Sequence, residues 1–253
     1  MDGEASGERG AVRRAIVVGA SSGIGEALVR VLAGAGWRVG AVARRGERLE
    51  ALAAAGGPGA VFPRVHDIAD AAAAAAVFEE LVRALGGLDL LIYAAGILLP
   101  VAEDQFDTAV DLDMLAVNAA GCIAWGNPAA AYFRSRRAGT IVGISSVAGD
   151  RGRRGNPVYG ASKAAMDHYL EALRNRLTVH GVHVCTIRPG FVDTAMTKGK
   201  EGLFWLISAE EAARRILAAV ESGAQVRYVP RRWFWVGLVI RCLPSFLFRR
   251  LSV

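Results

Sequence analysis

Apolar positions along this chain fall into two alternating rhythms. Short continuous apolar runs at Ala15–Val18, Arg38–Ala43, Ala60–Val65, Leu88–Tyr93, Gly139–Ile144, Val182–Ile187 and Gln225–Val229 read as strands. Longer stretches with helical spacing lie between them, at Ile24–Ala35, Ala69–Leu85, Phe106–Arg134, Pro157–His180 and Ala209–Ser222. A strand without polar alternation has both faces covered, which is the condition of a parallel sheet between two helical layers. The regular strand–helix order supplies the crossovers such a sheet needs. The pattern therefore predicts a single-domain α/β Rossmann fold. Its seven-stranded parallel sheet is doubly wound, with helices on both faces and a ligand crevice at the carboxyl ends of the strands.

A length of 253 residues fits one domain. The reading divides the chain into a flexible N-terminal tail at 1–14, a catalytic domain at 15–229 and a basic amphipathic segment at 230–253. The N-terminal stretch is polar and has no apolar core, so it does not read as a secretory signal. Cys122, Cys185 and Cys242 are widely separated and odd in number, which points to free thiols in a cytoplasmic protein and to no metal site. The net charge of +6 is localised. From Ser222 onward there are six arginines and no acid, so the rest of the chain carries 24 basic and 24 acidic residues and is neutral. A nucleic-acid protein spreads its basic charge over a groove-facing surface, and no such partner is expected here.

The first strand runs into Gly19, Ala20, Ser21, Ser22, Gly23, Ile24 and Gly25, and a helix follows. Glycines in a strand–turn–helix let backbone N–H groups and the helix N-terminus approach a pyrophosphate. A plain glycine-rich turn would look similar, and the position directly after the first strand is what favours the cofactor reading. The second strand ends in Arg44 and Arg45, where a cofactor site for NAD would place a carboxylate against the ribose 2′-hydroxyl. Arginines there suit a 2′-phosphate, with Ser21 and Ser22 adding hydroxyls, so NADP(H) is the expected cofactor. A solvated arginine pair at a helix start gives the same letters. Asp67, after the third strand, is placed either to accept from an adenine amine or to cap the helix expected from Ala69.

Ser145 and Ser146 end the fifth strand, and Tyr159 and Lys163 lie four apart on the next helix. Four residues bring the phenol and the ammonium to one face. A nearby cation favours phenolate and is expected to lower the tyrosine from its ordinary pKa of about 10. Such a tyrosine can protonate a carbonyl oxygen while Ser146 polarises it. Asn118 sits mid-helix, where asparagine has no intrinsic advantage, and a bent helix would explain it. Alone, each of these describes an exposed helix face or a strand-end cap. Their order and spacing behind the glycine turn carry the reading.

Taken together, the residues resemble the short-chain dehydrogenases/reductases over nearly the whole chain up to about Val229. The resemblance rests on Gly19, Gly23, Ile24, Gly25, Asp67, Ala95, Gly96, Asn118, Ser146, Tyr159, Lys163, Pro189, Gly190 and Thr194. It implies a nicotinamide cofactor held by these positions together with Ile68 and Val192, with Thr194 near the nicotinamide amide and Lys163 on its ribose. It implies an Asn118, Ser146, Tyr159 and Lys163 catalytic set. It also implies homodimers or homotetramers paired through the long helices at 106–134 and 157–180. One departure is visible: Tyr93, Ala94, Ala95 and Gly96 stand where the family usually has Asn-Asn-Ala-Gly, which removes an expected sheet-bracing hydrogen bond.

Two segments bear on the substrate. Arg151, Arg153 and Arg154 lie between Ser146 and Tyr159, where they would bind a phosphate or form a solvated basic loop. Phe204 and Trp205 fall in the region that covers the substrate in this family. The run from Trp233 to Arg241 is shorter than the ~20 residues of a membrane span. Its aromatics and flanking arginines suit either a helix lying in a membrane interface or one packed on the core or a sister subunit. Within the family, Ser145–Thr194 and the arginine-rich ending are similar to reductases of polyprenyl-phosphate keto-sugars. The expected function is NADP(H)-dependent reduction of a hydrophobic or lipid-linked ketone, with peripheral membrane contact. Alternatives are a soluble reductase of a small hydrophobic substrate and a non-catalytic nucleotide-binding scaffold.

Overall fold

The computed structural model describes residues 12–250; positions 1–11, most of the expected N-terminal tail, and 251–253 lie outside it. The core elements are β1 (Arg14–Val18), α1 (Gly23–Gly34), β2 (Arg38–Ala43), α2 (Gly46–Gly56), β3 (Val61–Val65), α3 (Ala74–Leu85) and β4 (Leu90–Tyr93). There follow α4 (Thr108–Leu115), a π-helical turn (Ala116–Ala120), α5 (Gly121–Arg136), β5 (Thr140–Ile144), α6 (Pro157–Leu177) and β6 (His183–Pro189). A two-stranded pair, β7 (Val192–Asp193) and β8 (Ile207–Ser208), precedes α7 (Ala209–Glu221), β9 (Val226–Val229), α8 (Trp233–Cys242) and α9 (Ser245–Phe248).

The main sheet has seven strands in the order β3-β2-β1-β4-β5-β6-β9, every neighbour parallel, as the apolar pattern predicts. Alternate residues of one strand enter different cores. Ala15 and Val17 of β1 pack with α1 and α7, while Ile16 and Val18 pack with α3, α5 and α6. Burial on both faces is why these strands carry no polar alternation. Strand order reverses between β1 and β4, which opens the crevice at their carboxyl ends.

The helices differ from the expected segments in three places. α3 begins at Ala74 rather than Ala69, because Asp67 accepts from Ala69 N (3.0 Å) and Asp70 from Ala73 N (3.2 Å), holding the intervening residues in turns. α2 was not foreseen; only Leu49 and Leu52 are buried on it, too few to set a period. The expected helix at 106–134 is interrupted by the π turn. The 108–136 stretch is also long and apolar enough to cross a membrane, and 44% of its most apolar window is buried within the fold.

Candidate active site

The crevice forms a cavity of about 540 Å³. Every position expected to hold the cofactor lines it: Gly19, Ser21, Ser22, Gly23, Ile24, Gly25, Arg44, Arg45, Asp67, Ile68, Ala95, Gly96, Tyr159, Lys163, Pro189, Gly190, Val192 and Thr194. Ile97, Leu98, Leu99, Met196 and Thr197 also line it and were not foreseen, since nothing in an irregular apolar loop signals which way it folds.

The glycine turn is close-packed. Gly19 has φ +90°, and a Cβ there would strike the backbone of Ala95; one at Gly25 would strike the Gly19 carbonyl. Both glycines let backbone pack on backbone and keep the turn tight, with Gly23, Ile24 and Gly25 at the start of α1 lining the cavity, an arrangement that fits a dinucleotide's pyrophosphate. Arg45 lies across it. Its guanidinium donates to Ser21 Oγ (2.9 Å) and Ser22 Oγ (2.7 Å). Arg44 stands 3.9 Å from Asp67, and Asp67 caps a turn rather than a helix.

Across the cavity, Lys163 is buried on α6, and its Nζ lies 5.9 Å from the Tyr159 ring centroid and donates to Ile144 O (2.9 Å). Ser146 accepts from Ala148 N (3.1 Å) at the head of the 3₁₀ turn Val147–Asp150. Asn118 is fully buried in the π turn. Its Oδ1 accepts from Ile97 N (2.8 Å), and its Nδ2 donates to Ile97 O (2.9 Å) and Ser162 Oγ (3.0 Å). A Cβ on Gly96 would sit 3.3 Å from Lys163 Nζ and 3.4 Å from Asn118 Oδ1, so this backbone approaches both groups closely.

The electrostatics differ from expectation. Burial raises the Tyr159 pKa, with a hydrogen bond from Ser146 acting against it. Tyr159 keeps some surface open to the cavity, but protein encloses its hydroxyl closely enough for desolvation to win. Lys163 does not pull the phenol down. It is desolvated itself and lowered to about 8 by burial, with Cys122 and Asp167 acting to raise it.

Tyr93, the departure from the family motif, is buried, and its hydroxyl donates to Val117 O in the π turn. The brace expected to be lost is replaced by one that reaches the neighbour of Asn118. Tyr93→Phe leaves that buried carbonyl unpaired, at a cost of about 1–3 kcal/mol. A thermal scan should show the midpoint fall by roughly 2–4 °C per kcal/mol. An unchanged midpoint would remove the brace from the account.

A family model described as short chain dehydrogenase matches residues 13–202. The chain belongs to the short-chain dehydrogenase family. An uncharacterized oxidoreductase of Mycobacterium tuberculosis (strain H37Rv) is 33% identical over 239 residues, covering 93% of this chain and 96% of the relative. A 3-oxoacyl-[acyl-carrier-protein] reductase of Bos taurus is 34% identical over 183 residues, covering 72% and 76%. Among solved structures, a short chain dehydrogenase/reductase family protein shares the fold with a TM-score of 0.75 at 28% identity, covering 85% of this chain and 94% of that one. The protein is thus a short-chain dehydrogenase/reductase oxidoreductase, of a family that binds nicotinamide cofactors.

The dehydrogenase departs from expectation on the substrate side. Arg151 points away from the cavity: its guanidinium donates to Ile240 O (2.7 Å), Leu243 O (2.5 Å) and Ser245 Oγ (3.1 Å), capping α8 and joining it to α9. Arg154 donates to Arg249 O (3.2 Å), and Arg153 to Val147 O (3.4 Å). The loop is therefore a clasp for the tail. Free helix-end carbonyls outcompete solvent for these guanidinium groups, which composition alone does not reveal. Phe204 and Trp205 do not line the cavity; they pack at its rim against Trp233, with ring centroids 5.0 and 5.7 Å away. A further network went unforeseen. Arg188 pairs with Asp150 (3.0 Å) and with Asp167 (3.0 Å), one helical turn beyond Lys163, and Tyr228 donates to Asp150 (2.8 Å). It pins the loop after Ser146 to α6 and β6.

Proposed function

We propose that this dehydrogenase reduces a ketone to a secondary alcohol with NADPH, and that the ketone is hydrophobic. The observation that carries the reading is that one cavity joins the Arg45 clamp on Ser21 and Ser22 to Ser146, Tyr159 and Lys163. When bound, the nicotinamide supplies the hydride. Ser146 Oγ donates to the carbonyl oxygen and orients it. The Tyr159 hydroxyl, held in its protonated form by burial, gives that oxygen the proton. Lys163 holds the nicotinamide ribose, and Asn118 fixes Ile97 and α6 around the reacting centre. Arg44 and Arg45 take the 2′-phosphate. Ser21 and Ser22 would hold the Arg45 guanidinium over the turn for that role.

A likeness to decaprenylphosphoryl-2-keto-ribose reductase in Ser145–Thr194 and in the tail points to a polyprenyl-phosphate keto-sugar, and the aromatic rim around Phe204 and Trp205 suits an apolar chain. The commitment of Arg151 to the tail favours a second reading, a small hydrophobic ketone with no phosphate. With either go a cytoplasmic site of action, a catalytic unit at 15–229, and homodimers or homotetramers paired through α4–α5 and α6. NADPH oxidation across ketones of increasing alkyl length separates these ideas. Specificity should rise about fourfold per methylene buried, from the ~0.8 kcal/mol each contributes. A flat series would sink the hydrophobic-substrate reading, and no turnover on any ketone would sink the reductase.

A further inference from the structure

The tail has an inner and an outer side. Trp233, Gly237 and Ile240 of α8 turn inward. Trp233 stacks on Phe204 and stands so close to Gly190 that a Cβ there would overlap its indole. The outer side leaves Trp235 66% and Val239 59% exposed, Phe246 of α9 is 57% exposed, and Arg231, Arg241 and Arg250 of the same tail are exposed as well. Among the described residues nothing covers this side. Arg232, just before α8, lies 4.6 Å over Trp205, itself 40% exposed, so the tail meets the Phe204–Trp205 segment at an exposed edge.

We propose that this face docks on the surface of an anionic lipid bilayer. α8 has ten residues and lies along the protein surface, so it can rest in the membrane plane but not cross it. Exposed indole and phenyl rings beside guanidinium groups match the headgroup layer, where apolar bodies bury and cations meet lipid phosphates. Charge selects this occupant over a second copy of the chain. The stretch from Ser222 carries six arginines and no acid, while the remainder is neutral with 24 charges of each sign. A two-fold contact would set these arginines against themselves, and no excess of acid elsewhere on the chain offers a better mate. Gly190 lines the cavity and packs on Trp233 of α8, which carries Phe204 and Trp205. The docked face therefore brings the cavity's rim to the lipid, where a lipid-borne ketone would be presented. That last step rests on the hydrophobic-substrate reading; the docking itself does not.

The test is flotation of the full chain with vesicles of phosphatidylglycerol and phosphatidylcholine in equal parts, and with phosphatidylcholine alone. The protein should float with the anionic vesicles and release at high salt. Arg231→Gln with Arg241→Gln should weaken that partition roughly 25-fold, at roughly fivefold per arginine. Trp235→Ser should weaken it as well, whereas Arg136→Gln on α5 should leave it unchanged. Unaltered thermal unfolding midpoints keep misfolding from mimicking the result. Equal flotation on both vesicle types, or no effect of the tail substitutions, overturns the proposal. So does a dimer, seen by sedimentation, that dissociates in Trp235→Ser while the parent chain ignores vesicles. Flotation needs no turnover, so its failure is distinct from a failure of the reductase reading.

Discussion

Tyr159→Phe is expected to lower the rate of ketone reduction by about 10³-fold, within the 10²–10⁴ span of a positioned general acid. The substitution removes one oxygen and keeps the ring in place on α6, so cofactor binding and the unfolding midpoint should hold. The pH dependence of the parent enzyme follows from the same site. Burial holds the phenol above its ordinary pKa, so it stays protonated and able to donate through neutral pH. Lys163 is lowered to about 8, chiefly by burial. Its charge is present below that value and lost as pH rises through it. Reduction should therefore be level through neutrality and decline above about pH 8. Stopped-flow measurement of the reduction step across this range reads both effects. A Tyr159→Phe enzyme that turns over normally would remove the phenol from the chemistry, and a rate that climbs past pH 8 would remove the need for a charged Lys163.

The parts of this protein that obey local rules were legible in its letters. The inner strands, buried on both faces, leave continuous apolar runs, the partly exposed edge strands β3 and β9 leave weaker ones, and the parallel order follows from the helices between them. The cofactor cradle was legible because backbone must approach backbone at Gly19 and Gly25, and only glycine permits it. Asn118 announced a helix defect through its poor fit to a helix interior, and the π turn lies there. What was not legible depended on distant partners. The direction of the Tyr159 shift turned on how fully α6 and the loop after Ser146 desolvate it, a quantity no spacing contains. Arg151, Arg153 and Arg154 resembled a phosphate site because a guanidinium matches carbonyl oxygens as well as phosphate. Only the tertiary path of the tail shows which partner it has. Tyr93 read as a loss because its new acceptor, Val117 O, lies 24 residues away on another element.

Replacing Arg44 and Arg45 together with alanine is expected to weaken NADPH binding by about 10²–10³-fold and NADH binding by less than about tenfold. Each arginine gives a phosphate a charge-assisted hydrogen bond worth about 1.5–3 kcal/mol, and NADH has no 2′-phosphate to lose it from. The two positions should not contribute equally. Arg45 is already held over the glycine turn by Ser21 and Ser22, so little side-chain freedom remains to be lost when a phosphate arrives. Arg44 is only loosely paired with Asp67 at 3.9 Å, so a larger share of its gain is offset by ordering and screened by salt. Arg45→Ala alone should thus account for most of the double variant's loss. Ser21→Ala, which frees one of Arg45's restraints, should weaken NADPH more than NADH by a smaller factor. Fluorescence titration with both cofactors measures all three variants. Equal weakening of NADPH and NADH would show that these arginines support the turn and do not read the 2′-phosphate, and cofactor preference would then have to reside elsewhere in the crevice.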